Sequence, residues 1–184
     1  YEARNRIGML TLEEVEELRK KARDKKNADA WYRYGLALSY FDEIEDSEDA
    51  IIQAIELDGS VPYYYQTYGF LLEEKAREAS NPGDLYSDAL RAYEIAISFI
   101  DRQNRPLDYA RLLQNLGLVA FEAGSDDLAF EFLSERLNLG LNFDDPRSEF
   151  LINRALAITA FRNNDLELSR NQIEESLNIL SDLR

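Results

Sequence analysis

No cysteine and no histidine occurs among the 184 residues. Their absence removes thiolate nucleophiles, disulfides, imidazole bases and the usual zinc and iron ligands together. It leaves the compartment open, cytoplasm and periplasm alike, because reducing and oxidising surroundings both tolerate a chain without thiols. No stretch approaches the roughly 20 apolar residues of a membrane span, and no signal peptide is visible. Positive charge is scarce: 21 Lys and Arg stand against 36 Asp and Glu, a formal charge of −15. Such a chain repels phosphate backbones and anionic lipid, so nucleic acid and membrane surfaces are poor partners. A protein or peptide of apolar or basic character fits better. Strand candidates are lacking too, since the tyrosine-rich Tyr63 to Tyr65 sits between helical patterns.

What is present is helical periodicity. A hydrophobic content of 45% is normal for a folded protein, and the length suits one domain or a short repeat array. Beginning at Tyr1, with its first methionine at Met9, the sequence reads as an excised or processed segment. Thr11 and Glu14 have the form of a capping box, after which Leu12, Val15, Leu18 and Ala22 define one narrow apolar face. This predicts a leading helix over 12–25. Small residues then recur: Gly35 and Ala54, Gly117 and Arg136, and Ala157 and Ser176 are each nineteen residues apart. Two helices of fixed length crossing closely would give that interval, so the chain is read as helical hairpins, nine helices in all.

The first hairpin carries Trp31, Tyr34, Gly35 and Leu38, then Ala50, Ile51, Ala54 and Ile55. The second opens at Val61-Pro62 with Tyr65, Tyr68, Gly69 and Leu72, then Ala89, Tyr93 and Ala96. Its second helix arrives eight residues late, and the surplus is placed in a connection around Ala76 to Asp84. The third carries Leu113, Leu116, Gly117 and Ala120, then Ala129, Leu133 and Arg136. The fourth follows Asp144-Asp145-Pro146, with Asn153, Leu156, Ala157 and Ala160, then Ser169, Ile173 and Ser176.

The segment Trp31-x-x-Tyr34-Gly35-x-x-Leu38, with the later Ile51-x-x-Ala54-Ile55-Glu56-Leu57-Asp58, resembles the tetratricopeptide repeat, a 34-residue helical hairpin. The other three hairpins follow the same register over about 27–182. The resemblance implies an all-α, right-handed superhelical solenoid of about four TPR-like hairpins preceded by an N-terminal capping helix. Residues 1–26 form the leader and cap, and 27–184 form the array, with repeats at about 27–60, 61–102, 106–140 and 146–182. Gly59 stands where the family often ends with Pro, and Arg136 where Ala is usual.

In similar proteins a second stripe on each first helix lines a concave groove that takes extended or helical peptides. Here that stripe includes Tyr32, Leu36 and Tyr40, then Tyr63, Gln66, Phe70 and Glu73, then Arg111, Gln114, Leu118 and Phe121, and finally Arg154, Ile158, Phe161 and Arg162. Core packing is the simpler account of Leu36, Phe70, Leu118 and Ile158. The aromatic members admit either role, because rigid rings interleaved with polar residues suit an interface. One subset of the family grips a terminal carboxylate with Lys and Asn. Tyr32, Leu36, Gln66 and Phe70 occupy those places here, which disfavours that mode, while Arg111, Arg154 and Arg162 could form a local anion site.

The acidic run Asp42 to Asp49 lacks the Gly of an EF-hand loop and reads as a solvated turn feeding a helix N-terminus. The basic run Arg19 to Lys26 reads as a helix C-terminal face. Adjacent Glu73 and Glu74 point about 100° apart and make a poor acid/base pair. The expectation is a non-catalytic interaction scaffold supporting complex assembly, without cofactor or metal. The alternative is a self-associating homo-oligomer using the last helix, with Leu168 and Ile179 on its outer side and Gln172 and Glu175 between them.

Overall fold

Apolar residues every three to four positions build nine helices among the described residues. The computed structural model describes residues 11–25, 27–141 and 145–182, with the backbone alone at 12, 24, 25 and 182. Lys26, Asp144 and the Leu12 side chain, used in the sequence reading, lie outside the described residues. Helix α1 (Leu12–Lys25) starts on the expected capping box. The Thr11 amide donates to Glu14 Oε2 at 2.7 Å, and the Glu14 amide donates to Thr11 Oγ1 at 3.3 Å. Val15 joins Ala37, Leu38 and Ala50 in a buried cluster flanked by Leu18, Trp31 and Tyr34, so α1 covers the apolar edge of the first hairpin.

Four hairpins follow: α2 (Ala28–Tyr40) with α3 (Ile44–Leu57), α4 (Pro62–Glu78) with α5 (Gly83–Ser98), α6 (Pro106–Glu122) with α7 (Asp126–Asn138), and α8 (Pro146–Arg162) with α9 (Leu166–Asp182). The chain divides into two compact units. The first, through Phe99, contains α1 and hairpins one and two; the second, from Ile100, contains hairpins three and four.

Each of the first three hairpins crosses on a glycine. A Cβ on Gly35 would stand 2.7 Å from Ile51 Cδ1, one on Gly69 2.9 Å from the Tyr93 ring, and one on Gly117 2.5 Å from Leu133 Cγ. The closest approach therefore comes sixteen residues after Gly35 and Gly117, about one turn before the nineteen-residue partners Ala54 and Arg136. Those partners are buried further along the same stripe. Arg136 is tolerated there because its guanidinium pairs with Glu149 of α8.

The expected long connection in hairpin two is absent. Residues 79–82 alone link α4 to α5, and Ala76 is buried inside α4. The surplus has been absorbed as helix: α4 runs four residues further past Gly69 than α2 runs past Gly35, and α5 begins three residues earlier relative to Tyr93 than α3 does relative to Ile51. The extra turn of α4 buries Ala76, which an extended loop would not do.

The other three hairpins share one turn. Asp42, Gly124 and Asn164 have φ of 65°, 75° and 62°, and each lies seven residues after the crossing position. In each, the following amide closes back on the helix: Glu43 N to Leu38 O at 3.1 Å, Ser125 N to Ala120 O at 2.8 Å, and Asp165 N to Ala160 O at 2.8 Å. This is the left-handed helix stop, which glycine, asparagine and aspartate adopt most readily.

Hairpin four departs from the sequence expectation. Ala157 already carries a Cβ at the crossing, and Ile173, expected on the packing stripe, is half exposed. Ser169 and Ser176 are buried as expected, and Gln172, expected on the outer side, is buried with them. Leu168, expected outside, packs against the cluster of Leu133, Ile152, Ala155 and Leu156, and Ile179 is partly buried. The outer apolar residues of α9 are instead Leu166, Ile173, Leu177 and Leu180.

Candidate partner-binding face

In the first unit, the stripe on α2 and α4 converges on tyrosines. The Tyr32 ring centroid lies 4.9 Å from those of Tyr63 and Tyr64, which are also 4.9 Å from each other. The Tyr32–Tyr63 and Tyr63–Tyr64 planes meet at 62° and 83°, the edge-to-face arrangement that ring quadrupoles favour. Thr67 Oγ1 donates to the Tyr32 hydroxyl at 3.4 Å and links α4 to α2. Burial pushes the Tyr32 and Tyr64 hydroxyls above the usual phenol range, so both stay protonated hydrogen-bonding groups at neutral pH.

Two rings of this stripe stay open to solvent: Tyr40 is 46% and Tyr63 41% exposed. Leu36, Gln66 and Phe70 are half-buried. Glu73 has a different task, because its carboxylate accepts the hydroxyl of buried Tyr93 and pairs with Arg77. Burial, and then the Glu73 charge, hold the Tyr93 hydroxyl well above the ordinary phenol value. Glu73 thereby fastens the ring that crosses Gly69.

The second unit opens only one ring of the stripe to solvent among the described residues. Leu118 and Phe121 pack against the cluster of Leu133, Ile152, Ala155 and Leu156, so they help build the unit. Gln114 and Ile158 are half-buried, while Arg111 and Arg154 are exposed. Phe161 is 64% exposed. Arg162 Nη1 reaches Asp126 Oδ1 at 2.6 Å, which ties α8 to the first turn of α7 and occupies a cation assigned to the anion site. Tyr64 and Thr67 were missing from the sequence-derived stripe. The three consecutive tyrosines were its signal, since two neighbouring positions on one helix can both reach a ring across a close helix pair.

No helix among the described residues is long and apolar enough to cross a membrane. Solved structures with the same arrangement of helices settle the fold. MamA from Desulfovibrio magneticus RS-1, residues 41 to its end, superposes with a TM-score of 0.70 at 17% identity, covering 92% of this chain and 85% of that one. Pseudomonas aeruginosa PilF gives 0.65 at 21% identity, covering 96% and 76%. YrrB, described as a TPR protein with an unusual peptide-binding site, gives 0.59 at 18% identity, covering 91% and 94%. The chain has a tetratricopeptide-like fold. No protein-family model and no curated protein sequence matches it. In the tetratricopeptide register, the half-open tyrosine stripe lies on the first helices of the first two repeats, and Phe161 lies on the first helix of the fourth.

Proposed function

We propose that the protein is a non-catalytic interaction scaffold that holds a peptide or helix of a partner against the first-helix stripe of its amino-terminal unit and so supports assembly of a complex. The observation that carries this reading is the tyrosine group of α2 and α4, in which Tyr32 and Tyr64 form a fixed base beside the open Tyr63, with Tyr40, held against Phe41, as the second open ring further along α2. Rings held by neighbours present area to a ligand at little entropic cost. The peptide-binding site named for YrrB, a protein of the same fold, gives the reading a precedent. Leu36, Gln66 and Phe70 extend the stripe, and Phe161 with Arg154 offers a smaller second contact in the carboxy-terminal unit. The formal charge of −15 favours a basic or apolar peptide.

The test is selection of binding peptides from a displayed random library, followed by measurement of the selected peptides against a Tyr40→Ala, Tyr63→Ala double variant. Both side chains are exposed, so the variant is expected to keep its helicity and melting behaviour. Affinity should fall by about tenfold or more, the scale of a lost aromatic anchor. Unchanged affinity for every selected peptide would move the site off this stripe.

A further inference from the structure

Helices α1, α2 and α3 of the first unit line a cleft of about 440 Å³, within the range of small-molecule sites. Trp31 and Tyr34 of α2 form its floor with Ala50 of α3. The two ring centroids stand 6.2 Å apart with their planes at 64°. Both rings pack on the buried cluster of Val15, Ala37, Leu38 and Ala50, which fixes them and lets them meet a ligand at little entropic cost.

The walls carry opposite charge. Arg19 and Arg23, one helical turn apart on α1, line one side, and Asp46 and Asp49, on one face of α3, line the other. No ion pair joins the two walls among the described residues. Arg19 is engaged by Glu16 of its own helix at 3.2 Å, and Arg23, Asp46 and Asp49 form no ion pair among the described residues. Tyr34 lies within reach of both walls: burial pushes its hydroxyl above the usual phenol value, Arg19 and Arg23 oppose the rise, and Asp46 and Glu16 add to it.

Opposite charges held apart over an aromatic floor set the chemistry of a ligand. A plain cation drawn to the aspartates would meet the arginines, and a plain anion drawn to the arginines would meet the aspartates. A molecule carrying both signs satisfies each wall. The cleft also balances two cations against two acids in a chain of formal charge −15, so it repels a carboxylate less than the chain as a whole does.

We infer that this cleft binds a free α-amino acid with an aromatic side chain, its carboxylate held by Arg23 and Arg19, its ammonium by Asp46 and Asp49, and its ring laid against Trp31 and Tyr34. This goes beyond the proposed tyrosine-stripe function and uses none of its residues. Because α1 supplies one wall and α2 and α3 the others, the bound amino acid ties the leading helix to the first hairpin.

Trp31 is the only tryptophan of the chain, so its emission reads the cleft directly. Titration of the full 184-residue chain with L-phenylalanine should give a saturable change in that emission and a melting temperature that rises with ligand concentration. N-acetyl-L-phenylalanine, which lacks the ammonium, and L-phenylalaninamide, which lacks the carboxylate, should each bind about tenfold more weakly, the scale of a lost charged hydrogen bond. Arg23→Gln should weaken L-phenylalanine to a similar degree, as should Asp46→Asn with Asp49→Asn. These three side chains are exposed, so the unliganded variants should keep the circular dichroism of the parent. Tyr40→Ala with Tyr63→Ala should leave the titration unchanged, which separates this cleft from the tyrosine stripe. Equilibrium dialysis with radiolabelled L-phenylalanine decides the case of a silent emission, and no binding there overturns the inference. Equal binding of the amide marks a cation site and equal binding of the N-acetyl acid an anion site. Either result overturns it, as does binding that both charge variants leave unchanged.

Discussion

Hairpins three and four lie in the same unit, share the same turn and have the same helix spacing, yet they solve their crossing in opposite ways. In hairpin three a glycine lets a leucine come down onto the backbone: Gly117 leaves room for Leu133, which is fully buried. In hairpin four an alanine stands in the glycine's register, the second helix buries serines and a glutamine, and the isoleucine in the leucine's register turns outward. Leu133 also has a helix beyond it, α8, whereas Ile173 has none among the described residues. One sequence register therefore does two jobs. It packs a hairpin internally and it joins the hairpin to the next element, and both jobs are visible in Leu133, which meets Gly117 within its hairpin and Ile152 and Leu156 of α8 beyond it.

The largest expected difference lies at that register. Leu133→Ala removes a fully buried side chain from the junction of Gly117, Ile152 and Leu156 and should cost about 3 kcal/mol, as buried leucine truncations do. Ile173→Ala removes an exposed side chain and should cost under about 0.5 kcal/mol. Urea unfolding of the two variants measures both, and equal losses would end the contrast. Next comes the crossing residue. Gly117→Ala sets a Cβ 2.5 Å from Leu133 Cγ, a branch point with little freedom to retreat, and should destabilise by about 2 kcal/mol. Ala157→Gly meets no such clash and should cost about 1 kcal/mol through helix propensity. A Gly117→Ala variant as stable as the parent would mean that the close approach does not matter.

The turn is common to both hairpins, so it sharpens the comparison by isolating what they share. Asn164→Ala and Gly124→Ala each force a β-carbon into left-handed backbone and should cost about 1 kcal/mol. Asn164→Gly should fall within about 0.5 kcal/mol of the parent. If thermal melts separate the two alanine variants widely, the turns are not equivalent despite their matching hydrogen bonds.

Much of this was legible in residue types and intervals. The capping box at Thr11 and Glu14, the bounds of α1, the four hairpins and the glycine crossings all rest on local chemistry, which a sequence states directly. The turn was legible in principle too, since Asp42, Gly124 and Asn164 are residues that tolerate positive φ at one fixed offset. The rest depends on rotation and neighbours. Whether a partner residue sits sixteen or nineteen places on is a matter of one helical turn, which periodicity alone does not resolve. The eight extra residues of hairpin two looked like a loop because Pro82 and Gly83 signal a turn, but only the turn lies there and the remainder lengthens two helices. Phe121 could not be told from Phe161 by sequence, as both occupy the same register. One packs on the buried cluster of the second unit and the other stands in solvent.

The smallest expected effect separates the starts of the two hairpins. Helix α6 opens at Arg105 with no side-chain cap, whereas α8 opens at Asp145, whose carboxylate accepts the Ser148 amide at 3.3 Å and the Ser148 hydroxyl at 2.6 Å. The Ser148 hydroxyl bond, with smaller help from the backbone, holds the Asp145 carboxyl below its ordinary value of 3.8. A carboxyl whose folded value is depressed contributes stability above its unfolded value and loses it as pH falls through the folded one. Hairpin four should therefore weaken from about pH 4 downward through this group, an effect of well under about 1 kcal/mol for a partly solvated cap. Asp145→Asn keeps a good N-cap and removes the titration, so stability at neutral pH should stay within about 0.5 kcal/mol and the acid-side slope should flatten by one group. The slope is read from urea midpoints between pH 5 and pH 3 in parent and variant, a window set at about one unit either side of the ordinary carboxyl value. Parallel curves would place the acid sensitivity elsewhere and leave Asp145 as a cap whose charge does nothing that its shape does not.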